Sequence, residues 1–395
     1  MVVVQWFFVK VDHLMKILIF SPSTSGGLAE HTYYQAKALE RAGAKVICLI
    51  SPSFLKGRKM DFEIIKCLSD PVEGSSGLVK KLRMAWRIIS NNYVLAWQII
   101  KQSPDLVLLD SYVEYLSPLW IDPHILLSRS FGVRYAANLH DPVRSYAIGP
   151  KWWHRLSVWL AYQPLNFVLV HDKLPDPSPV PDRVRVVEVP VGIYEISNHS
   201  QNHDDIRSSW GANEEHKVFL SFGYVRDGKN LDLAIRALKD VTCAFLVIAG
   251  SVSSSKDKQF SFYRDLAKEL GVNDRCLFFE GFIPDDGLGG YFAAADYILL
   301  TYSASFYSQS GVLNIAARAR KPVLASASPS PLMEAVRKYS LGVTIPPDSL
   351  NDVVKGMRIL VENPPQPLWQ EYESSASWDL NAQKILEAAK CVASY

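Results

Sequence analysis

Two basic side chains follow a short apolar run near the middle of the chain, and their types and spacing fit phosphate binding. The run 219–222 ends at Gly223, and Arg226 and Lys229 follow within the next six residues. A fork-shaped guanidinium and an ammonium at one turn can together hold a diphosphate. The alternative is a solvated basic turn without a ligand.

The segments on either side of this turn predict how the two cations are positioned. Residues 219–222 have the composition of a strand, and Leu231, Ala234, Ile235 and Leu238 then recur at helical spacing. Ligands of parallel sheets bind at the carboxyl ends of strands, where a helix amino terminus also offers unpaired N–H groups. The order strand, turn, helix therefore favours a diphosphate site here.

Three other stretches place reactive or anion-binding groups after predicted strands. Gly26 and Gly27 follow the first strand, as a tight turn with positive φ or as a point of ligand contact. His140 with Asp141 ends the apolar stretch that begins at residue 135, and such a pair can orient or deprotonate a hydroxyl, although a lone histidine is commonly structural. Ser310 precedes a predicted helix over 312–320, whose amides could hold phosphate; simple capping is the alternative.

Composition excludes several classes of protein. The net charge of +2 arises from 42 basic and 40 acidic residues, so no global field favours nucleic acid as a partner. The five cysteines are scattered without a C-x-x-C pair, which suits a reducing compartment, and we expect neither a disulfide framework nor a zinc site. An apolar content of 48% is ample for two buried cores.

Membrane contact is predicted only at the surface. No window approaches the ~18 consecutive apolar residues of a membrane span, so we expect a soluble or peripheral protein. Residues 1–14 lack the features of a secretory signal, and Met15 fits a natural start; a membrane-touching tail is the alternative. The stretch 78–102 is amphipathic and basic, either packed on the core or docked on an anionic membrane, and the aromatic and basic segment 151–159 fits an interface or ordinary packing.

Strand and helix signals alternate along both halves of the chain, which predicts an α/β protein of two doubly wound, Rossmann-like domains. We place the first domain at 15–195 and the second at 214–370, and expect the terminal helix, 376–395, to rejoin the first. Ligand loops in both halves imply a cleft between the domains, with Arg226, Lys229 and the Ser310 helix facing Gly26 and Gly27. No Asp-x-Asp pair ends a strand convincingly, so we expect no metal at the diphosphate.

At these residues the sequence resembles the GT-B glycosyltransferases, specifically the large retaining family called family 4. The likeness covers nearly the whole chain. Its motifs are Gly26-Gly27 with the following helix, Phe222-Gly-Tyr-Val-Arg-Asp-Gly-Lys-Asn230, Phe279-Glu-Gly-Phe-Ile-Pro284, Ala294-Ala-Asp-Tyr297, Ser310-Gly311 with Lys321-Pro-Val-Leu324, and Ser377-Trp378.

The resemblance implies a set of site residues. Arg226 and Lys229 would bind the donor diphosphate, His140 would lie beside the transferred sugar, and the last helix would cross back onto the first domain. The donor-binding residues predicted on this basis are Gly26, Gly27, Gly223, Gly250, Tyr307, Ser310, Gly311, Val312 and Asn314.

One departure from the family pattern concerns two glutamates eight positions apart. Tyr307 and Ile315 stand at their places here, so both carboxylates are missing. An apolar side chain cannot accept the ribose hydroxyls, and we expect ribose recognition to move elsewhere, with Asn314 a candidate.

These observations and the resemblance predict a metal-independent glycosyltransferase that needs no cofactor and takes its sugar from a nucleotide-diphosphate sugar. The resemblance alone implies that the transfer retains the anomeric configuration. The acceptor would be a saccharide or lipid-linked precursor of a polysaccharide, and the place of action the cytoplasm, at the inner face of the membrane. Two alternatives remain open: a degenerate GT-B protein that binds a nucleotide or a partner enzyme without catalysis, and a nucleotide-sugar epimerase on the same scaffold.

Overall fold

A computed structural model describes residues 14–71, 77–110, 113–140, 149–171, 174, 178, 180–195, 203–283 and 285–392. The chain divides into two compact units: Met1–Val189 with Trp378–Tyr395, and Pro190–Ser377. Asp141, Pro284 and the predicted start region 1–13 lie outside the described residues.

The first unit alternates strands and helices as the sequence predicts. Its strands are β1 (Lys16–Phe20), β2 (Lys45–Ile50), β3 (Glu63–Lys66), β4 (Leu106–Leu109), β5 (Arg134–Leu139), β6 (Phe167–Val170) and β7 (Arg185–Glu188). Its helices are α1 (Gly26–Arg41), α2 (Gly77–Gln102), α3 (Asp122–Phe131), α4 (Lys151–Ala161) and, from the end of the chain, α13 (Trp378–Val392).

These seven strands form one parallel sheet in the order β3-β2-β1-β4-β5-β6-β7. Ile17 of β1 pairs with Val46 on one side and with Leu106 on the other. The central strands are continuous apolar runs because helices cover both faces of such a sheet. The order places the carboxyl ends of β4, β5 and β6 side by side, which matters for the site below.

The second unit is likewise a parallel α/β sheet. Its strands are β8 (Lys217–Phe222), β9 (Ala244–Gly250), β10 (Cys276–Glu280), β11 (Tyr297–Thr301), β12 (Val323–Ser326) and β13 (Gly342–Ile345), in the order β10-β9-β8-β11-β12-β13. Its helices are α5 (His203–Ser209), α6 (Leu231–Ala237), α7 (Phe260–Glu269), α8 (Asp285–Ala294), α9 (Gly311–Arg318), α10 (Pro331–Lys338), α11 (Leu350–Glu362) and α12 (Trp369–Ser375). The predicted two Rossmann-like sheets are thus confirmed.

The last helix, α13, packs against α1 of the first unit. The Trp378 ring lies 5.1 Å from the ring of His31, centroid to centroid, and Asn381 Oδ1 accepts a hydrogen bond from Gln35 Nε2 at 3.0 Å. Both Gln35 and Asn381 are fully buried. A segment from the end of the sequence therefore completes the core of the first unit.

No helix in the described part of the chain is long and apolar enough to cross a membrane.

Candidate functional site

The predicted turn after β8 is built on two close backbone segments. Gly223 has φ of +90°, and its N–H donates to Ala249 O at 2.9 Å. A Cβ placed on Gly250 would lie 2.0 Å from Gly223 O, and Gly250 itself has φ of +152°. Only glycine fits there, which lets the Gly223 turn approach β9; the donor contact of Gly250 stays a prediction.

Lys229 lies at the end of this turn and is buried, with only 8% of the residue exposed. Its Nζ donates to Phe222 O at 2.5 Å, and Thr301 Oγ1, at the end of neighbouring β11, donates to Lys229 O at 3.0 Å. Burial, and secondarily the charge of Arg226, lowers the pKa of Lys229 from 10.5 to about 7. No carboxylate among the described residues pairs with this buried ammonium, and such a group would be stabilised by an anionic ligand.

Arg226 is exposed and lies over an aromatic pair. Its guanidinium carbon is 5.9 Å from the ring centroids of both Tyr302 and Phe306, and these two rings stack on each other at 4.0 Å. Cation–π contact orients the guanidinium while its N–H donors stay available to a ligand.

The amino terminus of α9 meets the same turn. A Cβ built on Gly223 would lie 3.7 Å from Lys229 Nζ and 4.0 Å from Val312 Cγ2. Ser310 occupies the cap position, but its hydroxyl forms no cap hydrogen bond and instead pairs with the buried Tyr302 hydroxyl at 2.9 Å. The predicted side-chain cap is therefore wrong, whereas Gly223, Lys229 and Val312 do come together.

Residues further along this loop and helix do not share one role. Tyr307 is 63% exposed, and Gly311 is exposed near the ring of Tyr194. Asn314 is buried, with Nδ2 donating to Gly192 O at 3.3 Å and Oδ1 accepting from the Tyr372 hydroxyl at 2.5 Å. Both ends of its amide are engaged with protein groups in the structure, and the role of Asn314 at the ribose stays a prediction.

In the first unit, the residues around His140 form a buried polar network centred on Asp110, which directly follows β4. His140 Nε2 donates to Asp110 O at 2.9 Å and lies 3.8 Å from Asp110 Oδ1. His31 Nδ1 donates to Oδ1 at 2.9 Å, and the Thr32 hydroxyl donates to Oδ2 at 2.6 Å. Asp110 was not predicted as a site residue, although its place after an apolar strand was a usable signal.

The charges in this network follow from burial and pairing. Burial alone would raise the pKa of the Asp110 carboxyl, but hydrogen bonds and nearby charge from His140 and His31 outweigh it and hold that pKa well below its usual range. Burial lowers the pKa of His31, and lowers that of His171 well below 6.5. Asp110 is therefore ionised at neutral pH, with neutral imidazoles at positions 31 and 171.

Two histidines of this network, His31 and His171, were not predicted to belong to a site. The three imidazoles lie edge to edge, with centroid separations of 4.6 Å between His31 and His140 and 5.2 Å from His171 to each of them. His140 and His171 follow the adjacent strands β5 and β6, so strand order could have placed these two together. His31 arrives from α1, which the order of strands does not reveal.

The predicted glycine pair opens α1. Gly26 has φ of +74°, which supports the turn interpretation. A Cβ on either Gly26 or Gly27 would meet no atom within 4 Å, so the space beside this loop is open. The geometry leaves room for a ligand contact without showing one.

Sequence and structure comparisons show which proteins the chain is similar to. The sequence profile described as "Glycosyl transferases group 1" matches residues 202–384. None of the curated protein sequences matches the chain.

Solved structures share the fold over nearly the whole chain. A glycosyltransferase from Rickettsia africae ESF-5 superposes with a TM-score of 0.70 at 16% identity, covering 96% of this chain and 99% of that one. Anabaena Alr3699/HepE in complex with UDP gives 0.67 at 15%, covering 96% and 100%. The catalytic domain of starch synthase IV from Arabidopsis thaliana, bound to ADP and acarbose, gives 0.68 at 12%, covering 97% and 100%.

The two parallel α/β sheets, the fold shared with these proteins and the profile match over 202–384 agree with the family resemblance of the sequence. The chain therefore has the two-domain fold of these glycosyltransferases, and its residues 202–384 match the profile of the glycosyl transferases group 1.

Proposed function

We propose that this protein transfers a sugar from a nucleotide-diphosphate sugar to a saccharide or lipid-linked acceptor, with retention and without a metal at the diphosphate. The observation that carries the proposal is the pair of cations at the end of β8: Lys229, buried and not paired with any carboxylate in the described part of the chain, and Arg226, held over two aromatic rings. When the bond from the sugar to the diphosphate breaks, negative charge grows on the leaving phosphate, and fixed cations lower the energy of that state.

The base and the sugar of the donor can be argued only by analogy with proteins of the same fold. HepE was solved with UDP and starch synthase IV with ADP, so the shared fold accepts either base in those proteins. We therefore assign the diphosphate to Arg226 and Lys229 and leave the base to be found by screening. Retention and the position of His140 beside the sugar come from the family resemblance.

Alanine substitution of each cation tests the assignment. Arg226→Ala or Lys229→Ala removes a charge-assisted contact of about 1.5 to 3 kcal/mol, which corresponds to a roughly 10- to 150-fold loss in kcat/KM. The assay measures release of nucleoside diphosphate from a panel of nucleotide sugars. Lys239→Ala, at an exposed lysine just after α6, is the matched control and should retain activity. Full activity in both Arg226→Ala and Lys229→Ala would reject the proposal.

The acceptor proposal rests on the surface of α2. Its predicted apolar stripe is exposed instead of facing the core: Leu78 and Trp86 are each 71% exposed and Ile100 is 68% exposed. The buried face of α2 consists of other residues, namely Asn91, Leu95, Ala96, Gln98 and Ile99. An exposed apolar stripe on a helix that carries basic residues and no acid fits an anionic membrane surface.

A groove beside this helix could receive part of a lipid-linked acceptor. It has a volume of about 580 Å³, and its lining includes Leu82, Trp86, Arg83 and Arg87. Arg87 is held in place by donating through Nε to Ser69 O at 2.9 Å. Apolar side chains beside guanidinium groups match a lipid phosphate with its acyl chain.

Vesicle binding tests whether α2 docks on an anionic membrane. Changing Lys80, Lys81 and Arg83 to Gln should lower the affinity for anionic vesicles roughly 100-fold, because each cation contributes about 1 kcal/mol. Sedimentation with the vesicles measures this affinity. The control with the same loss of charge in the same unit changes Lys45, Lys56 and Lys59, all exposed. An equal loss of vesicle affinity in both variants, or no vesicle binding by the parent protein, would reject the proposal that the protein binds an anionic membrane.

A second candidate function is favoured by Tyr307 and Ile315, which stand where relatives carry carboxylates. It is nucleotide binding without catalysis. Such a protein would gain thermal stability from a nucleoside diphosphate but release none from any nucleotide sugar.

A further inference from the structure

Three histidines of the first unit converge on one point. His31 lies on α1, His140 directly follows β5, and His171 directly follows β6. One nitrogen from each ring can be chosen so that the three atoms all lie within 4.8 Å of one another. The cluster belongs to the first unit, whereas Arg226 and Lys229 belong to the second.

The hydrogen bonds of the three rings fix which nitrogens carry a free lone pair. One nitrogen in each ring donates to an oxygen: His31 Nδ1 to Asp110 Oδ1 at 2.9 Å, His140 Nε2 to Asp110 O at 2.9 Å, and His171 Nδ1 to Val189 O at 3.2 Å. A neutral imidazole has one N–H only. The lone pairs therefore reside on His31 Nε2, His140 Nδ1 and His171 Nε2.

Two of these lone pairs are buried without any partner. His31 Nε2 and His171 Nε2 lack a hydrogen bond among the described residues, although both atoms are shielded from solvent. Buried polar atoms without partners are uncommon and call for an explanation. The third ring, His140, has a side chain 21% exposed, which leaves a route from solvent to the cluster.

We propose that His31, His140 and His171 form a binding site for a divalent transition metal ion, with zinc the ion that fits best. Three imidazole nitrogens match zinc and exclude magnesium and calcium, which require oxygen ligands. Metal-bound histidines typically donate their other N–H to a carboxylate or a carbonyl, which is the arrangement that Asp110 and Val189 provide. A fourth position remains for water or a substrate hydroxyl.

Bound zinc requires a modest contraction of the cluster. Zinc–nitrogen bonds of about 2.1 Å in tetrahedral geometry place the nitrogens roughly 3.4 Å apart. One nitrogen from each ring lies within 4.8 Å of the other two in the structure, so the three side chains must move closer together to bind zinc. This proposal departs from the expectation of no zinc site, which rested on the scattered cysteines.

Direct metal binding by the full chain tests the proposal. After removal of metal by a chelator, the protein should take up one equivalent of zinc, measured by competition with a chromophoric chelator. Substituted Co²⁺ should give the intense visible absorption of a four-coordinate ion. His171→Gln should weaken zinc binding by at least about 100-fold, because a direct ligand is lost.

The matched control is His124→Gln. His124 is a buried histidine of the same unit, and both of its nitrogens have partners, Tyr135 Oη at 3.2 Å and Asn92 O at 3.1 Å. Its replacement should leave zinc affinity unchanged. His140→Ala, at a less buried position, provides a second ligand deletion if His171→Gln does not fold. Absence of stoichiometric binding, the weak spectrum of six-coordinate Co²⁺, or undiminished affinity in both ligand variants would overturn the proposal.

One consequence rests on the proposed function. A zinc ion on His140 Nδ1 occupies the ring that the family resemblance places beside the sugar, so zinc should inhibit transfer and His171→Gln should relieve the inhibition. Metal binding is measured without any donor, so its outcome stands apart from that of the activity assay. Turnover that is indifferent to zinc, in protein shown to bind it, would refute the inhibition alone.

Discussion

The buried Lys229 leads to a pH dependence of nucleotide binding. Its pKa in the folded protein is about 7, lowered mainly by burial, so roughly half of the molecules carry the ammonium at pH 7. A diphosphate binds the protein in which Lys229 is charged. In molecules whose Lys229 is neutral, binding requires that Lys229 take up a proton. Nucleoside diphosphate affinity should therefore fall as the pH rises above 7.

The magnitude follows from the charged fraction of Lys229. With a pKa of about 7, that fraction falls from about one half at pH 7 to roughly 3% at about pH 8.5. If the uncharged form does not bind, the Kd rises roughly 15-fold over this interval, within the 10- to 150-fold range of a charge-assisted phosphate contact. The phosphate ligand itself titrates near pH 6 and stays ionised throughout.

Isothermal titration with UDP and ADP in two buffers of different ionisation enthalpy measures this linkage. We expect uptake of about half a proton per ligand at pH 7 and nearly one at about pH 8.5. Lys229→Met should bind weakly with no dependence on pH, and Lys229→Arg should keep a permanent charge and lose the proton uptake. A pH-independent Kd in the parent protein, or an unchanged slope in Lys229→Met, would refute the reasoning.

Three further predictions concern stability. Lys229→Met should raise the free energy of unfolding at pH 6 by up to roughly 5 kcal/mol. This is the cost of keeping Lys229 protonated in the folded protein, where its pKa is lowered from 10.5 to about 7. Urea denaturation should show that the gain shrinks as the pH rises from about 7 to 10.5. Gly250→Ala should lower that free energy by roughly 2 to 4 kcal/mol because its Cβ clashes with backbone, whereas Gly27→Ala should stay within about 0.5 kcal/mol. Tyr372→Phe should cost about 1 to 3 kcal/mol by leaving the buried Asn314 Oδ1 unpaired, with UDP and ADP affinity unchanged; equal stability of the parent and this variant would contradict the assigned hydrogen bond.

The sheets were predictable because their central strands are buried on both faces. Runs such as 245–249 are continuously apolar, and each is followed by a helix of clear periodicity, so the alternation identifies a parallel α/β unit. The face of α2 was not predictable in the same way. Periodicity defines an apolar stripe, but whether Trp86 packs on the core or faces solvent depends on neighbours distant in sequence.

The cations of the site were predictable because both lie in one short turn after one strand. The hydrogen-bond partners of Ser310 and Asn314 were not predictable, because Tyr302 and Tyr372 come from other elements and these contacts are visible only in the folded chain. His31 was missed because no local pattern marks a helical histidine that points at a strand end.

The return of α13 to the first unit has a consequence for the order in which the protein can fold. Gln35 and Asn138 hydrogen-bond to each other in the buried core, and Gln35 also requires Asn381. Asn381 emerges from the ribosome only after the 188 residues of Pro190–Ser377 have been made, roughly 10 to 40 s later at usual rates of synthesis. During that interval the nascent first unit has part of its core uncovered, so loss of the last helix would remove a buried partner of Gln35 from the opposite end of the chain.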